Sequence, residues 1–275
     1  MPTLRALALS THPGPGLAVT AIAVILGFGV GLDPWRLLVL GLAVLANQCS
    51  VGLSNDWIDA DRDRAVGRTD KPVALGLVPI ATVRIAAFAT AVLAILLTLP
   101  LGPWATLAHA VFIASAWGYN LGLKGTPFSV LPYIVSFGLL PLIVTLARPE
   151  PALASAWAIA AGALLGVSAH FANVLPDLED DAKTGVRGLP HRVGARTSGL
   201  VIAGALAGAS VCLVMGLGGA GALQFAGLAV SLTLAAVCAV LVLTGRAPAA
   251  VFRLIIVAAL VDVLLLALSG ERILA

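Results

Sequence analysis

Long apolar runs separated by short polar segments occupy almost the whole chain. The runs are about 18–22 residues long, which is the length that an α-helix needs to cross ~30 Å of hydrocarbon. The pattern predicts nine transmembrane helices, at residues 15–32, 35–55, 79–100, 102–120, 128–147, 152–173, 197–218, 222–244 and 249–269. We therefore expect an all-α, polytopic membrane protein whose helices surround an intramembrane cavity, with residues 1–275 forming a single domain.

Composition excludes a soluble globular domain. Hydrophobic residues make up 60% of the chain and charged residues 11%, with a mean hydropathy of +1.06. Soluble domains carry about 25% charged residues. Because the predicted spans use most of the 275 residues, no room is left for a second, soluble domain.

The basic residues predict how the helices are oriented. With the N-terminus in the cytoplasm, thirteen of the sixteen Lys and Arg residues lie on or beside the inner face. Only Arg36, Arg148 and Arg272 lie outside. This bias is typical of proteins of the cell membrane, whose cytoplasmic loops are rich in Lys and Arg. It predicts a C-terminus outside the cell, and it explains the net charge of +3 without a nucleic-acid partner.

A repeated polar motif interrupts the apolar pattern twice. Its pattern is N-x3-D-x3-D-x3-G-x4-P-x3-G, and the two copies are offset by 118 residues. Nine of the 13 acidic residues lie in these two stretches. The offset predicts that helices 2–5 and 6–9 form a pseudo-repeat with both acidic clusters on the cytoplasmic side. The matched pairs are Asn55 and Asn173, Asp59 and Asp177, Asp63 and Asp181, Gly67 and Gly185, Pro72 and Pro190, and Gly76 and Gly194.

The spacing of these acids indicates a cation site. Residues four apart lie on one face of a helix. Two carboxylates ~5–6 Å apart repel by roughly 3 kcal/mol at an effective dielectric constant near 20. Oxygen ligands without His or Cys favour Mg²⁺ or Mn²⁺. Basic residues surround the acids, which together predicts a clamp for a metal-bound diphosphate. The basic candidates are Arg64, Arg68, Lys71, Lys124, Arg187 and Arg192.

These motifs resemble the UbiA superfamily of intramembrane prenyltransferases. Residues 55–63, NDWIDADRD, are similar to its N-D-x-x-D-x-x-x-D motif. Residues 177–181, DLEDD, resemble its second motif, and residues 119–124, YNLGLK, are similar to the segment with Tyr and Lys between helices 4 and 5.

The resemblance implies a reaction and a set of site residues. A polyprenyl diphosphate would bind through Mg²⁺ and transfer its prenyl group to a lipophilic acceptor, commonly an electron-rich ring such as a quinone precursor. Asp56, Asp59 and Asp177 would be catalytic, and Tyr119 is a further candidate for the site. One metal would be held by Asn55, Asp56, Asp59 and Asp63, and the other by Asp177 and Asp181.

Two residues inside the predicted spans have a less defined role. His170 lies two turns before Asp177 on the same face. It is a candidate to position an acceptor or to act as a base, and the alternative is a hydrogen-bonded histidine in the cavity wall. Gly52 lies one turn before Asn55, where we expect it to leave room for the isoprenoid tail.

Three alternative functions can be compared with the same sequence features. A terpene cyclase of the same fold would use the prenyl diphosphate without an acceptor. A cation transporter would place its acidic sites near the bilayer midplane, at broken helices; here they lie at the ends of helices among many bases. A CDP-alcohol phosphotransferase also uses Mg²⁺, but the D-G-x-x-A-R pattern is missing from the sequence.

The predicted orientation can be tested by labelling. In a variant without the native cysteines, a cysteine at position 68 or 187 should react with an impermeant maleimide only from the cytoplasmic side. A cysteine at position 148 should react only from outside. Labelling of positions 68 and 148 from the same side would contradict the orientation.

Overall fold

The computed structural model describes residues 2–216, 221–244, 248–267 and 270–275. Within these ranges the chain is helical and has no β-strand, apart from one isolated bridge between Ala154 and Leu274. The all-α class is therefore confirmed. The helices, in chain order, are α1 Pro2–Leu9, α2 Pro13–Gly29, α3 Pro34–Ala65, α4 Ile80–Thr98, α5 Pro103–Leu121, α6 Leu131–Leu146, α7 Ala156–Val174, α8 Leu178–Lys183, α9 Leu189–Gly216, α10 Ala222–Leu243 and α11 Pro248–Ala267.

Proline fixes where several of these helices begin. Pro13, Pro34 and Pro103 occupy the first turns of α2, α3 and α5, where a missing amide proton costs nothing. The carboxylate of Asp33 caps α3 by accepting a hydrogen bond of 3.0 Å from the amide of Arg36. Proline and the Asp33 cap thus define the first turns of these helices.

The helices identify an integral membrane protein. Among the described residues, five helical segments are long and apolar enough to span a bilayer, and α1 with α2, bent by 58°, form a sixth as a pair. Each predicted segment overlaps one of the helices given above, but α6 has only 16 residues and is short for a span. The count of nine transmembrane helices therefore remains a prediction. The five segments are Pro34–Ala65, Ile80–Leu101, Ala156–Lys183, Leu189–Gly216 and Ala222–Leu243.

The two acidic motifs are carried by different local structures. The first lies on the last three turns of α3, a continuous helix of 32 residues. The second follows α7, and Pro176 interrupts the helix there, since a proline removes a helical hydrogen bond. A 3₁₀ turn at Leu175–Asp177 then leads into the short helix α8.

The motif copies nevertheless end in the same way. The amide of Arg68 donates to the carbonyl oxygen of Asp63 at 3.0 Å, and 118 residues later the amide of Val186 donates to that of Asp181 at 2.9 Å. A motif glycine with positive φ closes both turns, at 71° for Gly67 and 81° for Gly185. Glycine adopts this conformation without strain. The repeat therefore holds for this turn, while a repeat of four helices remains a prediction.

The largest hydrophobic core lies beyond the motifs, toward the other end of the bundle. It is built mainly from α2, α3, α5, α6, α7, α9 and α11. Small residues allow these helices to approach closely. A Cβ atom added to Gly162 or Gly166 would meet the carbonyl oxygen of Phe137 or Tyr133 at 2.4 Å. This core fixes the ends of α3 and α7 opposite each other.

Gly52 also serves close packing. A Cβ atom at this position would lie 2.3 Å from the backbone oxygen of Thr11, in the turn between α1 and α2. Gly52 borders the cavity, as the sequence suggested. However, its missing side chain makes room for the backbone of Thr11, and a phenylalanine there would displace the turn rather than only block the cavity.

Candidate active site

The two acidic motifs meet at one cavity. The cavity has a volume of about 370 Å³, and residues of both motifs line it. From α3 come Asn55, Asp59 and Asp63, and from the segment around α8 come Asp177 and Asp181. Residues more than 110 positions apart in sequence are thus brought to one charged mouth, as the motif spacing predicted.

Beyond the mouth the cavity wall becomes apolar and aromatic. Tyr119 and Tyr133 pack edge to face with their ring centroids 5.3 Å apart. The ring of Phe137 lies 6.1 Å from that of Tyr133 and nearly parallel to it, at 10°. Phe112 and Leu165 line the deeper part. The cavity therefore joins a charged end to a hydrocarbon-like interior.

Asp56 is the most deeply buried of the acids. Its side chain is fully buried, and Lys71 Nζ donates to its Oδ1 at 2.7 Å. His12 Nε2 lies 2.8 Å from the same oxygen and 3.0 Å from Lys71 Nζ. A buried carboxylate needs such partners, because removing it from water is costly. Lys71 also donates to Asn55 Oδ1 at 3.1 Å, so one lysine connects two motif residues.

Asp59 is held by two basic side chains and an amide. Arg62 donates to its Oδ2 at 2.7 Å, Asn55 donates to the same oxygen at 2.9 Å, and Lys124 donates to Oδ1. Burial lowers the pKa of Lys124, while the neighbouring Asp59 opposes that shift. Lys124 lies in the turn after α5, so Asp59 ties this turn to α3.

Arg68 links the two acidic motifs directly. It donates to Asp177 at 2.9 Å and forms a two-pronged ion pair with Asp70, with both distances 2.8 Å. The hydrogen bond from Arg68 lowers the pKa of Asp70 to about 2. Arg62 gives a second, longer link, 4.0 Å from Asp181. The motifs are thus joined by arginine side chains.

The donor set fits a hard divalent cation, although the carboxylates are engaged by basic residues. Oδ2 of Asp56 and Oδ2 of Asp63 are buried and have no hydrogen-bond partner within the protein. Among the described residues, no three acidic, His or Cys side chains lie close enough together to hold a metal as they stand. Mg²⁺ prefers one or two carboxylates together with substrate phosphate oxygens. Asn55, Asp59 and Asp63, with Asp177 and Asp181, line the cavity and could hold such ions. Asp56 does not line the cavity and is paired with Lys71 and His12, so its role as a metal ligand remains a prediction.

Three predicted phosphate ligands lie outside the cavity wall. Arg64 is exposed and pairs with Asp61 at 2.7 Å, and the Asp61 side chain is 93% exposed. Arg192 donates to the backbone oxygen of Arg187 at 3.1 Å, and both residues are exposed. A role for Arg64, Arg187 and Arg192 in diphosphate binding therefore remains a prediction. The basic residues that do line the cavity are Arg62, Arg68, Lys71 and Lys124, with His12 and His191.

Tyr119 and His170, the two ring-bearing candidates for the site, occupy different positions relative to the cavity. Tyr119 lines the cavity. His170 is fully buried, with its ring 5.7 Å from that of Tyr119 and 4.9 Å from that of Tyr133. Its Nε2 lies 3.0 Å from Ser129 Oγ, which in turn accepts a hydrogen bond from the amide of Leu189. His170 therefore backs the aromatic wall, which agrees with the hydrogen-bonded alternative, and its role in catalysis stays untested.

Several residues at the mouth were not selected from the sequence. Arg62 lies within the first motif, and its spacing of three from Asp59 was a usable signal. Asn120 follows Tyr119 directly and donates to Ser54 Oγ at 2.8 Å. His12 and His191 had no recognisable spacing. The partner of His12, Asp56, lies 44 residues away in sequence, so only the fold could show that contact. His191 lies 3.6 Å from Asp181, across the turn between α8 and α9.

The sequence matches a known family over most of its length. The profile of the UbiA prenyltransferase family matches residues 16–267. The chain therefore belongs to the UbiA prenyltransferase family. The prediction of an enzyme of the prenyltransferase class is confirmed at the level of the family.

Individual relatives agree with this assignment. The chain is 26% identical over 197 residues to the bacteriochlorophyll synthase 33 kDa chain of Rhodobacter capsulatus, covering 65% of this chain and 60% of that one. It is 28% identical over 207 residues to its counterpart in Cereibacter sphaeroides, covering 67% and 65%. The chain thus spans less than two thirds of the length of these curated relatives.

Solved structures share the fold. A UbiA homolog from Aeropyrum pernix K1 aligns with a TM-score of 0.74 at 17% identity, covering 94% of this chain and 96% of that one. A UbiA homolog from Archaeoglobus fulgidus bound to GPP and Mg²⁺ aligns with a TM-score of 0.71 at 15% identity, covering 99% and 98%. At such identities the likeness establishes the fold.

The buried ion pair at the mouth can be tested through stability. Lys71→Met should leave the Asp56 carboxylate buried without its main cation, which costs about 3–5 kcal/mol. Arg64→Met is the matched control. It removes an exposed pair with Asp61 and an exposed hydrogen bond of 3.4 Å to the Ala74 oxygen, and it should change the unfolding free energy by no more than about 0.5 kcal/mol. Reversible unfolding in detergent measures both. Equal losses in the two variants would contradict the burial-based argument.

Proposed function

We propose that this protein is a Mg²⁺-dependent prenyltransferase that moves the prenyl group of a polyprenyl diphosphate onto a lipophilic acceptor within the membrane. One observation carries the proposal: two acidic motifs from different parts of the chain converge at the charged mouth of an otherwise apolar cavity. Residues 1–275 would act as a single domain with nine spans and the pseudo-repeat of helices 2–5 and 6–9. The mouth would face the cytoplasm.

The mouth suits a diphosphate. Four basic side chains line it, and Lys71, Lys124 and Arg68 already contact carboxylates of the motifs. A metal-bound diphosphate could replace the carboxylates as the partner of these basic side chains, because its anionic oxygens accept the same charge-assisted hydrogen bonds. The UbiA homologs from Archaeoglobus fulgidus bound to GPP and to DMAPP, each with Mg²⁺, support this assignment.

Bond cleavage would begin at the mouth. The carbon–oxygen bond to the diphosphate breaks, the diphosphate leaves with the electron pair, and an allylic carbocation remains. Bound Mg²⁺ would supply charge neutralisation for the leaving group. The chain itself supplies Lys71, Lys124, Arg62 and Arg68, which stabilise charge developing on the diphosphate. Fixed charges of this kind usually give the largest catalytic contribution.

The interior would protect and direct the cation. The faces of Tyr119 and Tyr133 can stabilise positive charge. The apolar wall excludes water that would otherwise quench it. An electron-rich carbon of the acceptor then forms the new bond, and the acceptor loses a proton. Similarity to bacteriochlorophyll synthase chains supports an acceptor reaction over cyclisation. Product analysis with a prenyl diphosphate alone would identify a cyclase.

Metal dependence is the first test. Purified protein in lipid nanodiscs, given C10 to C20 or longer diphosphates and aromatic acceptors, should form a prenylated product that mass spectrometry detects. Excess EDTA should abolish product formation, and added Mg²⁺ or Mn²⁺ should restore it, since the mouth offers oxygen ligands. Full turnover in EDTA would refute a metal-dependent reaction.

Two acids of the first motif form a matched pair of variants. Asp59→Ala removes a carboxylate at the mouth and should lower kcat/KM by about 100-fold or more. Asp61→Ala removes an exposed carboxylate that points away from the cavity, and it should stay within about threefold of wild type. Both proteins should fold, as judged by thermal unfolding. If Asp59→Ala keeps a rate like that of Asp61→Ala, the assignment of the first motif is wrong.

A further inference from the structure

A serine hydroxyl in the cavity wall makes no hydrogen bond within the protein. Ser136 on α6 lines the cavity and is 4% exposed, yet its hydroxyl has no hydrogen-bond partner. A serine in a helix usually bonds to the carbonyl oxygen four residues earlier. For Ser136 that oxygen belongs to Pro132, and it already accepts a hydrogen bond of 3.2 Å from Ser115. The Ser136 hydroxyl is therefore both buried and available.

Such a group is costly unless something binds to it. Buried polar atoms are nearly always hydrogen-bonded, because burial removes their bonds to water. An isoprenoid tail is a hydrocarbon and offers no donor or acceptor. A polar hydroxyl in its path would only weaken tail binding. The Ser136 hydroxyl is thus better matched by an occupant that carries a polar group.

A second polar side chain lies at the same depth on another wall. Val51, Tyr119 and Tyr133 lie at about the same depth in the cavity. Asn120, the residue after Tyr119, donates a hydrogen bond of 3.0 Å to the backbone oxygen of Val51. The ring centroids of Tyr119 and Tyr133 are 5.3 Å apart. Gln48 on α3 lies three residues before Val51, and Ser136 lies three residues after Tyr133. Both are therefore about 4.5 Å deeper than these tyrosines.

Gln48 faces the same space as Ser136. It lines the cavity, and its Cβ lies 3.2 Å from where a Cβ of Gly16 on α2 would stand. Its amide can donate and accept, as can the serine hydroxyl. On the same helix as Ser136, the rings of Tyr133 and Phe137 also line the cavity and are nearly parallel. A flat ring can pack on such a surface while a substituent reaches the polar pair.

We infer that Ser136, assisted by Gln48, binds a hydroxyl or carbonyl group of the acceptor and holds its ring against Tyr133 and Phe137. This inference rests on the proposed function and specifies its acceptor: a planar, lipophilic ring with a hydrogen-bonding oxygen. Ser136 is a positioning residue, and it lies one turn from the tyrosines near which the carbocation forms.

A pair of probes of equal shape tests the hydrogen bond. 2-Naphthol carries a hydroxyl, and 2-methylnaphthalene has a methyl group in its place. Equilibrium dialysis against nanodiscs with and without the wild-type protein should show tighter binding of 2-naphthol. Ser136→Ala should weaken 2-naphthol by about five- to tenfold, the usual effect of one hydrogen bond. Gln48→Leu should act in the same direction, and neither should weaken 2-methylnaphthalene.

Controls separate this effect from damage to the fold. Ser168→Ala removes another buried serine hydroxyl, one that donates to the Ile202 oxygen at 3.1 Å outside the cavity wall. It should leave the ratio of the two affinities unchanged. In steady-state assays, Ser136→Ala should raise the KM for 2-naphthol and leave the KM for geranyl diphosphate unchanged.

The outcomes distinguish this inference from the proposed function. If wild-type protein binds both probes alike, or if Ser136→Ala weakens them equally, the inference is overturned. If the hydroxyl-dependent difference holds but no diphosphate gives a prenylated product, the proposed function fails instead. A rise in the KM for geranyl diphosphate in Ser136→Ala, with that for 2-naphthol unchanged, would also overturn the acceptor site.

Discussion

The structure depends on neutralising negative charge at the end of a membrane helix bundle. Asp56 and Asp59 are buried, and a buried carboxylate without a partner would be too costly to keep. Lys71 and Lys124 provide the partners, and each comes from a loop rather than from a spanning helix. The need to pair these charges therefore fixes the loops after α3 and α5 over the cavity. The same ion pairs place positive and negative charges side by side at the mouth of the cavity.

Charge pairing also bears on the proposed function. The lysines and arginines at the mouth contact carboxylates of the motifs. In the proposed reaction, a diphosphate arriving with a metal would replace these ionic contacts with others of similar kind. The helices that carry the motifs remain fixed by the core.

Much of this arrangement could be predicted from residue types and spacing. The fixed offset between the acidic motifs predicted that Asp59 and Asp177 serve one site, and both line the cavity. The spacing also predicted that the motif continues helically beyond the apolar part of α3. The choice of basic partners could not be predicted in the same way. Arg64 is closer than Arg68 to the acids of the first motif in sequence, but it is Arg68 that contacts Asp177. The direction of a loop side chain depends on long-range packing that no local pattern encodes. His12 reaches Asp56 only because α1 and α2 meet at a bend over Gly52, which hydropathy does not reveal.

The two motifs differ in how they are supported, and this sets how each tolerates change in length. The first lies on an unbroken helix, so inserting one residue in α3 ahead of the motif would rotate every motif side chain by about 100° around the helix axis. No local adjustment could restore their direction. The acids of the second begin at Asp177, the last residue of the 3₁₀ turn at Leu175–Asp177, and this turn can absorb an added or lost residue before α8 begins. Homologous chains should therefore vary in length just before the second motif and keep a constant register through the first.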